Sequence, residues 1–184
     1  MVKILNTKER DFKIKFKNLL KKRDQDDFKI DKVVSNIISE VKSDSDKAIV
    51  RLTKKFDKYN FDNFDDLVVS SEELEQSYIG LNKDTKKSLK RAITRIKSYH
   101  MKQKPLDLMY KDSEGVVLGG MWNPIESVGL YVPGGTAAYP SSLIMNAVPA
   151  IVAEVPRIVV TVPATNGEMN SNVLACCKML GLSE

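Results

Sequence analysis

Hydrophobic and polar residues follow two different patterns along this chain. Over roughly the first hundred residues, apolar side chains recur three and four positions apart, which predicts amphipathic helices. From about residue 127, short β-branched runs alternate with apolar helical runs, and this predicts the order β-α-β-α. Short connections between such elements are typical of a parallel sheet with helical crossovers.

The amino-terminal pattern predicts two helices separated by a polar run. Phe12, Phe16 and Leu20 form the first apolar stripe. The charged run 21–27 that follows contains no apolar residue, so we expect a break there. A second stripe then predicts a helix that starts near Asp31.

Caps and turn residues predict the next elements. Ser70 and Glu73 have the spacing of a capping box, and Gly80 is a helix stop. The apolar runs on either side of 112–115 predict a β-hairpin. The remaining expectations in this part are a helix from about residue 46, a short strand at 67–69 and a long helix from about 84 to 103.

The second part predicts a partial nucleotide-binding-like unit. Its expected elements are a strand at 127–132, a helix at 140–154, a strand at 157–162 and a helix at 170–180. A third strand would begin at 182–184 and is missing from this sequence. The predicted fold class is therefore α/β: a helical amino-terminal region with a β-hairpin, followed by a partial Rossmann-like βαβα unit with parallel strands.

The loop Pro133-Gly134-Gly135 follows the first of these strands. Glycine takes positive φ at little cost and lets a backbone approach a ligand closely. A loop between the carboxyl end of a strand and the amino end of a helix is where α/β sheets bind nucleotides. Pro-Gly-Gly alone is also typical of a plain turn, so both interpretations stay open on the residues alone.

Composition argues against several other classes of protein. The 184 residues are 42% hydrophobic and carry a net charge of +5, which is too modest to indicate a nucleic-acid-binding tail. Lysines alternate with acidic residues in the first part, as on solvated helix faces. An RNA-binding module around Lys86–Lys97 is the competing hypothesis. Charge falls and proline increases after Gly119-Gly120, where we expect a domain boundary.

Few residues have the chemistry of a reaction centre. His100 is the only histidine, and neither a zinc-ligand spacing nor a Gly-x-Ser-x-Gly elbow is present. The fingerprint Gly-x-Gly-x-x-Gly is absent too. Cys176 and Cys177 are adjacent, which favours buried small hydrophobic residues over a disulfide. Without a secretion signal or a run of 18 apolar residues, a reducing cytoplasmic location is expected.

The stretch Gly129–Ser142, continued by Leu143–Ala150, resembles histidinol dehydrogenase. The resemblance extends back through Trp122–Glu126 to Phe56-Asp57 and forward through Val159–Pro163. It covers most of the chain after about residue 30. The central motif is long enough to be highly specific for that family.

The resemblance implies a zinc metalloenzyme that oxidises L-histidinol to L-histidine with two NAD in histidine biosynthesis. It also implies two Rossmann-like domains related to aldehyde dehydrogenases, and a homodimer. From the composition, neither a nucleic-acid nor a membrane partner is expected. In the family the tyrosine of the Tyr-Val-Pro-Gly-Gly motif contacts NAD; here this is Tyr131, with Pro133 and Gly134 beside it. The competing interpretation of Tyr131 is a core aromatic at a strand end.

Members of that family are more than twice as long, and their zinc ligands and catalytic Glu-His pair match no residue here. The resemblance thus implies an amino-terminal portion: an extension at 1–30, part of a discontinuous α/β domain at 31–128 and half of the NAD-side domain at 129–184. We expect no catalytic or metal-binding residue in this chain, no activity from it alone, and weak NAD binding or none. The alternative is a truncated, non-catalytic remnant that binds a nucleotide or a partner chain.

Overall fold

The computed structural model describes residues 4–133 and 139–184, which fall into two compact units. The first unit ends at Arg51, and the second is Leu52–Glu184. The helices are α1 (Phe12–Asp44), α2 (Asp46–Phe56), α3 (Ser71–Ile79), α4 (Lys83–Met101), α5 (Pro140–Val152) and α6 (Ser171–Leu180). The strands are β1 (Leu108–Lys111), β2 (Val117–Gly120), β3 (Ser127–Tyr131) and β4 (Arg157–Thr161). The expected α/β class is confirmed, whereas the boundaries at residues 30 and 128 stay a prediction.

Helix α1 is continuous, so the predicted break at 21–27 is wrong. That run holds Lys, Arg, Asp and Gln but neither glycine nor proline, and none of these residues costs more than about 0.7 kcal/mol in a helix. The helix ends at Ser45, where φ is 50° and the amide donates to the Val41 carbonyl. Arg51 of α2 then pairs with Glu40 at 2.8 Å and Asp44 at 2.6 Å.

Local hydrogen bonds from side chains determine where the two short helices before α4 form. Ser70 caps α3 as predicted, and Glu73 completes the capping box. The strand prediction at 67–69 is wrong: Phe64–Leu67 form a short 3-10 helix, and residues 68 and 69 belong to no strand. The Asp66 carboxylate accepts the Asn63 amide at 3.1 Å, a local bond that competes with extended structure.

The hairpin of β1 and β2 is antiparallel and confirms the prediction. Its register pairs Leu108 with Gly120 and Lys111 with Val117. In the turn, one carboxylate oxygen of Asp112 accepts the amides of Glu114 and Val116, both at 2.9 Å. All eight strand residues are exposed, so side-chain burial contributes little to this hairpin.

The second sheet, β3 with β4, is parallel as predicted and lies beside the core of this unit. Helix α5 packs against β3, α4 and α6, and α6 packs against α3. The most deeply buried side chains of this core are Val132, Leu143, Ile144, Ala147, Val148, Val173 and Cys176. The apolar residues of β3, α5 and α6 therefore bury one another. This core supports the edge of the sheet where β3 and β4 end.

Helix α6 ends where the sequence predicts. Gly181 takes the left-handed conformation with φ 72°, and the Leu182 amide donates to the Cys177 carbonyl at 3.0 Å. The chain then turns back, Leu182 is buried, and the Val160 amide donates to the backbone oxygen of Glu184. None of the helices among the described residues combines the length and hydrophobicity of a transmembrane span.

Candidate functional site

The candidate site is the edge of the parallel sheet at which β3 and β4 both end. Tyr131 and Thr161, the last residues of the two strands, are partners in the register. The Val132 amide donates to the Thr161 carbonyl at 2.9 Å, so the pairing continues one residue past β3. Past this pair the chain leads to α5 on one side and, through residues 162–170, to α6 on the other. Parallel α/β sheets bind ligands at this edge.

Alternation along β3 turns Tyr131 outward. Val132 is 0% exposed and Leu130 is buried, whereas Tyr131 between them is 62% exposed. Successive side chains of a strand point to opposite faces, which accounts for this difference. The interpretation of Tyr131 as a core aromatic is therefore wrong, and its ring and hydroxyl are open to a ligand.

The other two predicted cofactor-binding residues follow directly. Pro133 is exposed at the start of the loop. Gly134 lies outside the described residues, so its role stays a prediction. The structure thus places Tyr131 and Pro133 together at the sheet edge.

The amino ends of α5 and α6 are capped differently. The Asn170 side chain accepts the Asn172 amide at 3.0 Å and caps α6. At α5 the N-cap is Tyr139, which makes no side-chain bond to the helix, and Pro140 occupies the first turn. Helix amino ends carry N–H groups that favour negative charge, as on a phosphate, and among the described residues no N-cap side chain occupies those of α5.

A contact that the sequence analysis missed lies on the loop after β4. The Asn166 amide donates to the Asp57 carbonyl at 2.8 Å, and the Tyr59 ring lies against Gly167. The Asn166-Gly167 dipeptide is a turn signal in sequence. Its partner, more than one hundred positions away, has no such signal.

The remaining reactive side chains lie elsewhere. His100 is half-buried, and its ring meets the Tyr99 ring edge-on at 5.2 Å. Cys176 and Cys177 are buried free thiols, as predicted. Burial disfavours the thiolate and raises the pKa of Cys176 to about 12 and of Cys177 to about 11. In the described ranges, no group of three or more His, Cys, Asp or Glu side chains could hold a metal ion.

The described structure also contains a cleft of about 320 Å³ at the opposite end of β4. It is lined by Pro156, Arg157, Leu180 and Glu184 among others, and it contains none of the predicted site residues. The cleft and the candidate edge are thus different places.

Comparison with known proteins identifies the family. The family model for histidinol dehydrogenase matches residues 20–184. The histidinol dehydrogenase of Acinetobacter baylyi is 40% identical over 183 residues, which are 100% of this chain and 43% of that protein. That of Sulfurimonas denitrificans is 42% identical over 178 residues, covering 97% of this chain and 41% of the relative.

A solved structure agrees with these matches. The crystal structure of histidinol dehydrogenase from Elizabethkingia anophelis superposes with a TM-score of 0.77 at 28% sequence identity. The superposition covers 84% of this chain and 35% of that one. The chain spans about two fifths of the length of the curated relatives it matches. Since the family model matches nearly the whole sequence, the chain belongs to the histidinol dehydrogenase family of oxidoreductases.

Proposed function

We propose that these residues form the cofactor-side portion of a histidinol dehydrogenase. The whole protein would oxidise L-histidinol to L-histidine with two NAD in succession, in histidine biosynthesis. The family match over residues 20–184 carries this proposal. The exposed Tyr131 at the carboxyl edge of a parallel sheet supports it, because this edge is where such folds bind nucleotides.

Tyr131, Pro133 and Gly134 are the proposed NAD-binding residues. The outward ring of Tyr131 offers an apolar face and a hydroxyl, both suited to a nucleotide. Pro133 starts the loop and fixes its own φ, while Gly134 has no side chain to obstruct a ligand. NAD supplies the chemistry, since it accepts a hydride from the substrate. The residues of this chain bind and orient it.

We further propose that zinc and the catalytic residues belong to the part of the whole protein that this chain does not match. About 57% of the Acinetobacter relative lies outside the matched length, since the match covers 43% of it. The 184-residue chain alone is therefore expected to be inactive and to bind NAD weakly or not at all.

The proposed partners are L-histidinol and a second copy of the protein, without nucleic acid or membrane. Half-exposed apolar side chains on α1, among them Val33, Val34 and Ile38, support a homodimer. The two free cysteines support a reducing cytoplasmic location.

Turnover by the whole protein tests the proposal. With L-histidinol and NAD, we expect two NADH for each L-histidine formed, measured by absorbance and by chromatography of the product. Loss of activity on chelation and its return with Zn²⁺ would support the zinc assignment. The 184-residue chain, assayed in parallel, should form no NADH. A whole protein that binds a partner chain but forms no NADH would contradict the proposal and favour the non-catalytic alternative.

A further inference from the structure

Tyr59 follows α2 in the chain, and its side chain contacts the loop that follows β4. Its ring packs against Gly167, where φ is +78°. A Cβ built on Gly167 would come within 2.9 Å of two ring carbons, Cδ2 and Cε2. Both the backbone conformation and the space therefore require glycine at this position. The ring rests directly on the backbone of the turn.

Two neighbouring contacts fix this arrangement. The Asn166 amide donates to the Asp57 carbonyl at 2.8 Å, so the two backbone segments are joined as well. Phe61, 7% exposed, packs its ring against the Tyr59 ring with the centroids 5.2 Å apart. Segment 57–61 thus holds the turn through one backbone bond and one ring.

Each segment contains a residue with positive φ, a backbone conformation that residues other than glycine rarely adopt. Lys58 has φ 55° and Asn166 has φ 58°, and neither is glycine. Such conformations persist where the surrounding contacts determine them. The shape of the turn at 164–167 is thus set jointly with segment 57–61 and not by the loop alone.

The position of this turn connects it to the candidate site. The loop that contains it follows Thr161, the last residue of β4 and the register partner of Tyr131. We propose that Tyr59 is a positioning residue: by holding the turn at Gly167, it shapes the wall of the NAD site beside Tyr131. This inference rests on the proposed function. It adds Tyr59, which lies far from β3 and β4 in the sequence, to the residues that shape the NAD site.

Steady-state kinetics of the whole protein test the role of Tyr59. We expect Tyr59→Ala and Gly167→Ala to raise KM for NAD about tenfold, because displacing a binding wall misplaces the ligand. KM for L-histidinol and kcat should stay within about twofold. Tyr59→Phe keeps the ring and should restore wild-type KM. The matched control is Tyr78→Ala, which removes a half-buried tyrosine on α3 and should leave KM for NAD unchanged.

Hydrogen exchange of the Asn166 amide in the 184-residue chain tests the contact independently of turnover. Exchange should accelerate in Tyr59→Ala and stay slow in Tyr59→Phe. Faster exchange with unchanged KM for NAD would make the contact structural only and overturn the proposal. If Tyr59→Ala fails to fold, the same two measurements on Gly167→Ala test whether the contact affects NAD binding. If the wild-type protein neither binds nor reduces NAD, the proposed function and this inference are both overturned. If the wild-type protein does both and the variants keep the wild-type KM for NAD, only this inference is overturned.

Discussion

The amide of Val160 donates to the backbone oxygen of Glu184 at 2.9 Å, which places Glu184 alongside β4. The Thr161 carbonyl accepts the Val132 amide on the β3 side. Backbone groups of neighbouring residues face opposite edges of a strand, so Glu184 lies at the edge away from β3. Residues 182–184 form no strand, and the sheet of the described residues consists of β3 and β4; this one backbone bond places Glu184 where a third strand would pair with β4.

The Arg157–Glu184 ion pair ties this returning segment to the start of β4. Both Nε at 2.8 Å and Nη2 at 2.6 Å of Arg157 contact one oxygen of Glu184. The hydrogen bond from Arg157 lowers the pKa of Glu184, so its contribution to stability is present above the ordinary value of 4.5 and is lost as pH falls through the folded pKa. Glu184→Gln should therefore lower the urea midpoint slightly at pH 7 and not at pH 2.

Glu168→Gln is the matched control for this substitution, since Glu168 is exposed and forms no ion pair among the described residues. It should leave the urea midpoint unchanged at both pH values. An equal effect of Glu184→Gln at pH 7 and pH 2 would contradict the ion-pair explanation. Added salt should reduce the effect at pH 7, because exposed pairs are screened.

Leu143 is a fully buried residue of α5, so its truncation should cost stability. Its side chain is 0% exposed in the core between β3 and the helices. Leu143→Ala should reduce the free energy of unfolding by about 2–5 kcal/mol, through lost transfer energy and the cavity left behind. Met145 on the same helix is 55% exposed, so Met145→Ala should change it by less than about 0.5 kcal/mol. Equal costs, measured by urea unfolding, would show that α5 is packed differently.

Ser70 is expected to stabilise α3 through its hydroxyl. Its Oγ accepts the Glu73 amide at 3.2 Å, so Ser70→Ala should cost about 1 kcal/mol of unfolding free energy. The main cause of the lowered pKa of Glu73 is the backbone amide of residue 70, which alanine retains. An NMR titration should therefore still find this pKa below its usual range in Ser70→Ala. Ser71→Ala is the control, and an equal cost there would contradict a cap at Ser70.

Cys176 and Cys177 should resist thiol reagents in the folded chain. Burial raises their pKa values to about 12 and about 11, so almost no thiolate exists at pH 8. Their protonated state contributes stability below the ordinary value of 9.0, and this is lost as pH rises through the folded values. A colorimetric assay at pH 8 should find no reactive thiol in the native chain and two in denaturant. Rapid native labelling would contradict the burial.

The elements predicted correctly are those specified by neighbouring residues. The capping box at Ser70, the stop at Gly181 and the Asp112 turn all depend on contacts within four positions. The parallel pairing of β3 and β4 follows from the intervening helix, which forces a crossover. These features depend on short-range geometry that a single sequence contains.

The features missed depend on tertiary contacts or on weak preferences. The charged run 21–27 contains neither glycine nor proline, and α1 continues through it. Keeping these residues helical costs little helix propensity, whereas ending the helix and nucleating a new one costs more. The contact of Tyr59 with Gly167 joins positions more than one hundred residues apart, and no periodicity encodes it. At the candidate site, alternation along β3 predicts that Tyr131 and Val132 face opposite sides; which side is buried depends on the helices that pack there.

Substitution of Tyr131 tests the candidate site itself. In the whole protein, Tyr131→Ala should weaken NAD binding by about 1–3 kcal/mol, the range for a base stacked on an aromatic ring. Tyr131→Phe separates the two possible contacts: retained affinity indicates that the ring face binds NAD, and reduced affinity indicates the hydroxyl. Tyr110→Ala removes another exposed tyrosine, on the hairpin, and serves as the control measured by the same calorimetric titration. Equal NAD affinity in wild type, Tyr131→Ala and Tyr110→Ala would remove Tyr131 from the site, because an outward ring that touches the cofactor cannot be deleted without loss.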